Sequence, residues 1–143
     1  MIALVLAISL VAPGVMGPGV AYAQVPAELD APWSDVAPRI DGERVIAAAV
    51  GMPDQRLGRL AARRSGARRA GEERARAMVH RWADDALAQV AASPTIAAAV
   101  HRAIDDAATV SRVRPLSDGG AVIEIEIPLA ALRAAASLRG LPW

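Results

Sequence analysis

The chain has 143 residues, a formal net charge of +1 and no cysteine, which excludes disulfide, thiolate and thioether-lipid chemistry at the outset. All 16 basic residues are arginine, and the lack of lysine, asparagine and phenylalanine points to a GC-rich bacterial genome. With three tryptophans and one tyrosine as the whole aromatic content, the core has to be built from Ala, Val, Ile and Leu.

Residues 1–23 carry no charged side chain and close on Ala21-Tyr22-Ala23, with Gln24 next. The small-x-small ending fits the narrow pocket of a signal peptidase, so 1–23 reads as a signal peptide cut between Ala23 and Gln24. That predicts a periplasmic or secreted protein, without a lipid anchor because there is no cysteine to carry one. The rival is a retained membrane anchor. The apolar run Met1–Ala12 falls short of the roughly 20 residues needed to span a bilayer, and Pro13, Gly14, Gly17, Pro18 and Gly19 interrupt any regular helix beyond it.

From Gln24 to Asp41 the chain has three prolines, several carboxylates and no periodicity, and 24–43 is expected to be an extended linker. Trp33 is expected to pack onto the domain beyond it. The run Arg44–Gly51 (RVIAAAVG), bounded by Asp41-Gly42 and Gly51-Met52-Pro53, predicts a buried strand.

A long helix is expected from Asp54, the candidate N-cap, to about Ala92. Its apolar positions Leu57, Leu60, Ala61, Ala75, Met78, Val79, Trp82, Ala86 and Val90 fall mostly three and four apart. Gly58, Gly66 and Gly71 each weaken a helix by about 1 kcal/mol relative to Ala, so their expected use is close backbone packing; a break near Ser65-Gly66 is the alternative. Ser93-Pro94 restarts the helical pattern, with Ser as N-cap and Pro at the first helical position. The second helix runs from Thr95 to about Ala108, with Ile96, Ala99, Val100 and Ile104 on one face.

Thr109–Leu116 and Ala121–Ile127 (AVIEIEI) predict an antiparallel hairpin across Ser117-Asp118-Gly119-Gly120. Its second strand alternates, with Ile123, Ile125 and Ile127 facing inward and Glu124 and Glu126 outward. Pro128 opens a last short helix, Leu129–Leu138. The expected fold is therefore α+β in the order β-α-α-β-β-α: one N-terminal strand and a C-terminal hairpin form a small sheet, covered by a long Ala/Arg-rich helix and a second helix. Residues 44–143 form a single domain in this reading.

Nine arginines lie between Arg56 and Arg81, with only Glu72 and Glu73 among them. Six of them, Arg63, Arg64, Arg68, Arg69, Arg74 and Arg76, are the candidate anion-binding residues, since such a density attracts anionic polymer or lipid. The plain alternative is a solvated helix face, because pairs such as Arg63-Arg64 spread around the wheel. Nucleic acid is a poor fit, lacking stacking aromatics or a recognition motif. His80 and Asp84 stand four apart, as do His101 and Asp105, so each pair is placed to hydrogen-bond on its own helix. Neither spacing brings a third ligand, and no metal or cofactor is expected. Asp84-Asp85 and Asp105-Asp106 do not converge by themselves, as neighbouring helical residues point about 100° apart. Ser65, Ser93, Ser111 and Ser117 sit in no nucleophile motif. No catalytic residue is assigned.

The strand Arg44–Gly51, the helix Ala67-Arg68-Arg69-Ala70-Gly71-Glu72-Glu73-Arg74-Ala75-Arg76-Ala77-Met78 and the strand exit Val122–Leu129 (VIEIEIPL) resemble small bacterial envelope proteins of the LPP-twenty lipoprotein type, over about residues 44–132. That group includes lipoproteins associated with flagellar basal structures. The resemblance implies a non-catalytic envelope domain, one that could assemble with copies of itself; lipid anchoring does not carry over without a cysteine. The expectation is an exported, non-enzymatic envelope protein with a structural or interaction role, whose partners are envelope proteins or itself. An arginine-mediated binder of anionic envelope polymer or lipid is one alternative. An unrecognised periplasmic hydrolase is the other, and it would need histidines and carboxylates brought together.

Overall fold

The computed structural model describes residues 34–137 and 141–143; the stretch read as a signal peptide and Trp33 lie outside them. Strands β1 (Val36–Asp41) and β2 (Arg44–Gly51) precede helices α1 (Leu60–Gln89) and α2 (Pro94–Ala107); β3 (Thr109–Pro115), β4 (Ala121–Pro128) and α3 (Leu129–Ala136) complete the order. The sheet is antiparallel throughout, in the order β1-β2-β4-β3, so β2 and β4 are central and β1 and β3 are the edges. The α+β class and the antiparallel hairpin agree with the sequence reading.

One strand is not anticipated by the sequence. β1 lies inside the stretch read as linker, and it pairs with β2 through a turn in which Gly42 takes φ +59. Pro38 hides the strand in the sequence, yet an edge strand tolerates a proline whose missing N–H faces away from the ladder. The register shifts between Val36 and Arg39, around that proline. Just before the strand, Asp35 accepts a hydrogen bond from Val50 N–H (3.1 Å) and pairs with Arg74 of α1 (2.6 Å), which fixes the chain's entry to the sheet.

All three helices pack on one face of the sheet. Val45, Ala47 and Ala49 of β2 and Ile123, Ile125 and Ile127 of β4 are fully buried there against Val79, Val100, Ile104, Leu129 and Leu132. Glu124 and Glu126 point the other way and stay half-exposed, as the alternation requires. The buried stripe of α1 repeats every four residues: Ala67, Gly71, Ala75, Val79, Ala83, Leu87. Its first half is made of small residues, and this is what lets the helix backbone reach the sheet. A Cβ on Gly71 would lie 2.6 Å from Ile123 Cγ1, and one on Gly51 would run into the Ala67 carbonyl. Gly71 is thus a close-packing residue, as the sequence suggested; a Cβ on Gly66 would meet only Leu57 Cδ1, at an ordinary 4.0 Å, and Gly58 lies outside the helix.

The start of α1 differs from expectation. Asp54 does not cap it: its carboxylate accepts from Arg56 N–H (2.9 Å), and its carbonyl from Leu57 N–H (3.1 Å), closing a local turn. The helix begins at Leu60 behind Arg59, which offers no side-chain cap. Leu57 and Leu60, expected on the buried stripe, are therefore 38% and 48% exposed. The helix does continue through Ser65-Gly66 without a break. The start of α2 is as read: Ser93 Oγ accepts from Ile96 N–H and Pro94 occupies the first turn. Trp143 packs against Trp82 with ring centroids 5.1 Å apart, bringing the chain's last residue onto the helical layer. Among the described residues, no helix is long and apolar enough to cross a membrane.

Candidate functional site

The six candidate arginines divide into two sets. Three hold the fold. Arg63 donates to the Leu57 carbonyl and to Gln55 Oε1 (3.3 Å), tying down the turn that leads into α1. Arg74 holds Asp35. Arg76 pairs with Glu72 (2.9 Å) and donates to the carbonyls of Asp105 and Ala108 (both 3.1 Å), so it closes the C-terminal end of α2. Carbonyls at a helix end lack intrahelical partners and carry the negative end of the helix dipole, so a guanidinium is well suited there.

Arg64, Arg68 and Arg69 form the other set. All three are exposed, with no hydrogen-bond or ion-pair partner among the described residues. The first turn of α1 holds no acidic side chain, and of the nearest carboxylates along the helix, Glu72 and Glu73, the first is paired with Arg76. Arg64 and Arg68, one turn apart, form the wall of a shallow cleft of about 380 Å3 between the N-terminal half of α1 and the β3–β4 hairpin. Ser65 stands beside them, and Val113, Pro115, Gly120 and Ala121 supply the rest of the lining. The cleft exists because α1 lies over β2 and β4 and leaves the helix-side face of β3 largely bare: Val113 is 40% exposed. The arginines are legible in the sequence; their apolar counterpart is not, because it depends on how far the helix extends over the sheet. The one signal available is β3 itself, where Val113 and Pro115 sit among charged residues.

A second cluster lies on the opposite half of α1. His80 and Asp84 do not pair with each other, nor do His101 and Asp105. The partners cross between helices: His80 Nε2 meets Asp105 Oδ1 at 2.9 Å and His101 Nε2 meets Asp84 Oδ1 at 2.6 Å. The two imidazoles touch edge to face with centroids 4.6 Å apart. The spacing of four puts each His and Asp on one helix face correctly, but that face is the α1–α2 seam, and the nearer partner comes from across it. Asp85 and Asp106 are exposed and outside the quartet. Among the described residues, no group of three or more His, Asp or Glu side chains is arranged to hold a metal ion.

On the helix-free face of the sheet, Arg44 pairs with Glu126 (2.8 Å) and Ser111 Oγ donates to Glu124 (2.8 Å), knitting β2 to β4 and β3 to β4. Arg133 of α3 reaches Glu43 at 2.7 Å beside the β1–β2 turn. These contacts are half-exposed or exposed, and they set register and orientation more than they add stability. Comparison of the chain with protein-family models, with curated proteins and with solved structures finds no match in any of the three.

Proposed function

We propose that this chain is an exported, non-enzymatic interaction domain of the bacterial cell envelope, of the kind its likeness to LPP-twenty-type proteins suggests. The observation that carries the interaction role is the division of the arginines. Where a guanidinium serves the fold it has a named partner, whereas Arg64, Arg68 and Arg69 stand exposed and without a partner among the described residues. Exposed like charges repel one another and bring no packing in return, so an anionic partner is the natural complement. Export rests on the uncharged segment ending at Ala23, and partners on the envelope side of the membrane follow from it: envelope proteins, further copies of the chain, or anionic polymer and lipid.

The hydrolase reading has its convergence of histidines and carboxylates, but the chemistry argues for a clamp. The Nε2 atom of each imidazole, the nitrogen farther from the backbone, is engaged by a carboxylate of the neighbouring helix. The test of the proposal is co-sedimentation of the purified protein with isolated cell envelopes at low and high salt. Retention at low salt, loss at high salt, and loss in an Arg64→Ala/Arg68→Ala/Arg69→Ala variant that keeps its circular dichroism spectrum are expected. Retention indifferent to both salt and the substitutions would overturn the arginine role.

A further inference from the structure

Beside the arginine cleft runs the β3 edge, which pairs with no other strand among the described residues, and the two together define a partner more closely than charge alone. We propose that the groove between α1 and β3 takes an extended, acidic peptide segment of a protein partner, which adds to β3 as a fifth strand. The inference rests on the interaction role proposed for the arginines and specifies where and what the domain binds.

Three features of the groove converge on that occupant. The first is the backbone. Leu116 N–H donates to the Gly120 carbonyl (2.8 Å) at the open end of the hairpin turn. Antiparallel strands alternate the direction of their peptide groups, so Arg114, two residues back, also turns to β4. Val113 and Pro115 then turn away from it: Val113 offers both N–H and C=O at the free edge, and Pro115 offers C=O. The register shift between Val110 and Arg112 and the missing N–H of Pro115 shorten this edge, devices that protect it from promiscuous pairing. What remains is a short template, suited to a partner that also has side-chain anchors.

The second feature is spacing. Arg64 and Arg68 are separated by about 6 Å of helix rise, and alternate residues of an extended chain by about 6.8 Å. Carboxylates at positions i and i+2 of an added strand would therefore meet successive arginines. The third is the lining between wall and edge. Val113, Pro115 and Ala121 give an apolar strip with the Ser65 hydroxyl at its border, which accepts the aliphatic parts of those same side chains. A strand so placed satisfies the free edge, the exposed guanidinium groups and the exposed Val113 at once. An anionic lipid surface would satisfy only the charge.

The experiment is titration of the purified protein with short synthetic peptides, read by fluorescence anisotropy. One peptide alternates Glu with Val and Thr; an isomer gathers the same glutamates into one block; a third is N-methylated on alternate amides so that it cannot pair along one edge. The alternating peptide is expected to bind, to lose about tenfold in affinity (roughly 1.4 kcal/mol) in Arg64→Ala/Arg68→Ala, and to be unaffected by Arg81→Ala/Arg102→Ala, which removes exposed arginines elsewhere. The block isomer and the N-methylated peptide are expected to bind distinctly more weakly. Equal binding of all three peptides would reduce the site to bulk electrostatics and overturn the strand-addition inference. Binding of phosphatidylglycerol vesicles but of no peptide would assign the arginines to lipid and overturn it too. If the peptides fail while salt-sensitive envelope retention persists, this groove is the wrong site but the interaction role stands. If both fail, the reading beneath it falls as well.

Discussion

At the scale of single residues, two glycines set the distance between helix and sheet. Gly51 and Gly71 face each other across the α1–β2 contact, and both stand out in the sequence, one as the end of a strand and one as a helix-weakening residue with a packing purpose. Their unequal importance comes only from the structure. A methyl group at residue 71 meets Ile123 Cγ1 at 2.6 Å and the Gly51 backbone at 3.1–3.3 Å, while one at residue 51 overlaps the Ala67 carbonyl and lies 2.7 Å from Gly71 N, backbone that has no room to give. Gly71→Ala should therefore destabilise the fold by about 1–3 kcal/mol, the usual cost of overpacking. Gly51→Ala should cost more, with a visibly lower urea midpoint than Gly71→Ala. Equal midpoints for both variants and the parent protein would mean that the helix is not seated so close to the sheet. Gly66→Ala, whose methyl would meet only Leu57 Cδ1 at 4.0 Å and with Ala the better helix former, should raise stability by a few tenths of a kcal/mol up to about 1 kcal/mol.

At the scale of elements, α1 is one helix with two kinds of work along its length. Its N-terminal half is cationic and faces a bare strand; its C-terminal half carries the seam with α2. The helix is legible from periodicity, but its first turn is not, because Asp54 looks like a cap. Asp favours turns as strongly as N-caps, for the same reason: its carboxylate accepts from nearby backbone N–H groups. The seam differs from expectation in partner, not in face, since a sequence shows which residues share a stripe and not which neighbour lies against it. A double-mutant cycle separates the possibilities. His80→Ala with Asp105→Ala should give a coupling energy of about 0.5–1 kcal/mol, as befits a half-exposed pair. His80→Ala with Asp84→Ala should be close to additive; the reverse pattern would contradict the crossed arrangement. Arginines of α1 divide in the same way. Arg76→Ala removes two donors to the end of α2 and should cost about 1–2 kcal/mol, whereas Arg69→Ala should stay within about 0.5 kcal/mol of the parent. Chemical denaturation of the two variants side by side checks this.

At the scale of the whole molecule, the α+β class can be read from two strong signals, the alternation of Ala121–Ile127 and the apolar run Arg44–Gly51. Both prove to be the central strands, where burial on the helix side imposes a regular pattern. The edge strands are harder for a physical reason: an edge is half-solvated, tolerates proline and bulges, and so carries little pattern. β1 escapes the sequence reading outright, and the cleft beside β3 is invisible until the helix above it is placed. The candidate site is legible by half, as charge; its apolar side and its free backbone groups belong to the tertiary arrangement. The biological reading joins this surface to the uncharged segment ending in Ala21-Tyr22-Ala23, and envelope partners require that the domain reach them. The most direct measurement is the intact mass of the protein recovered from fractionated cells. A species beginning at Gln24 in the periplasmic or extracellular fraction is the expected result. A full-length chain in the cytosol would contradict it, and would turn the arginine face toward intracellular anions instead.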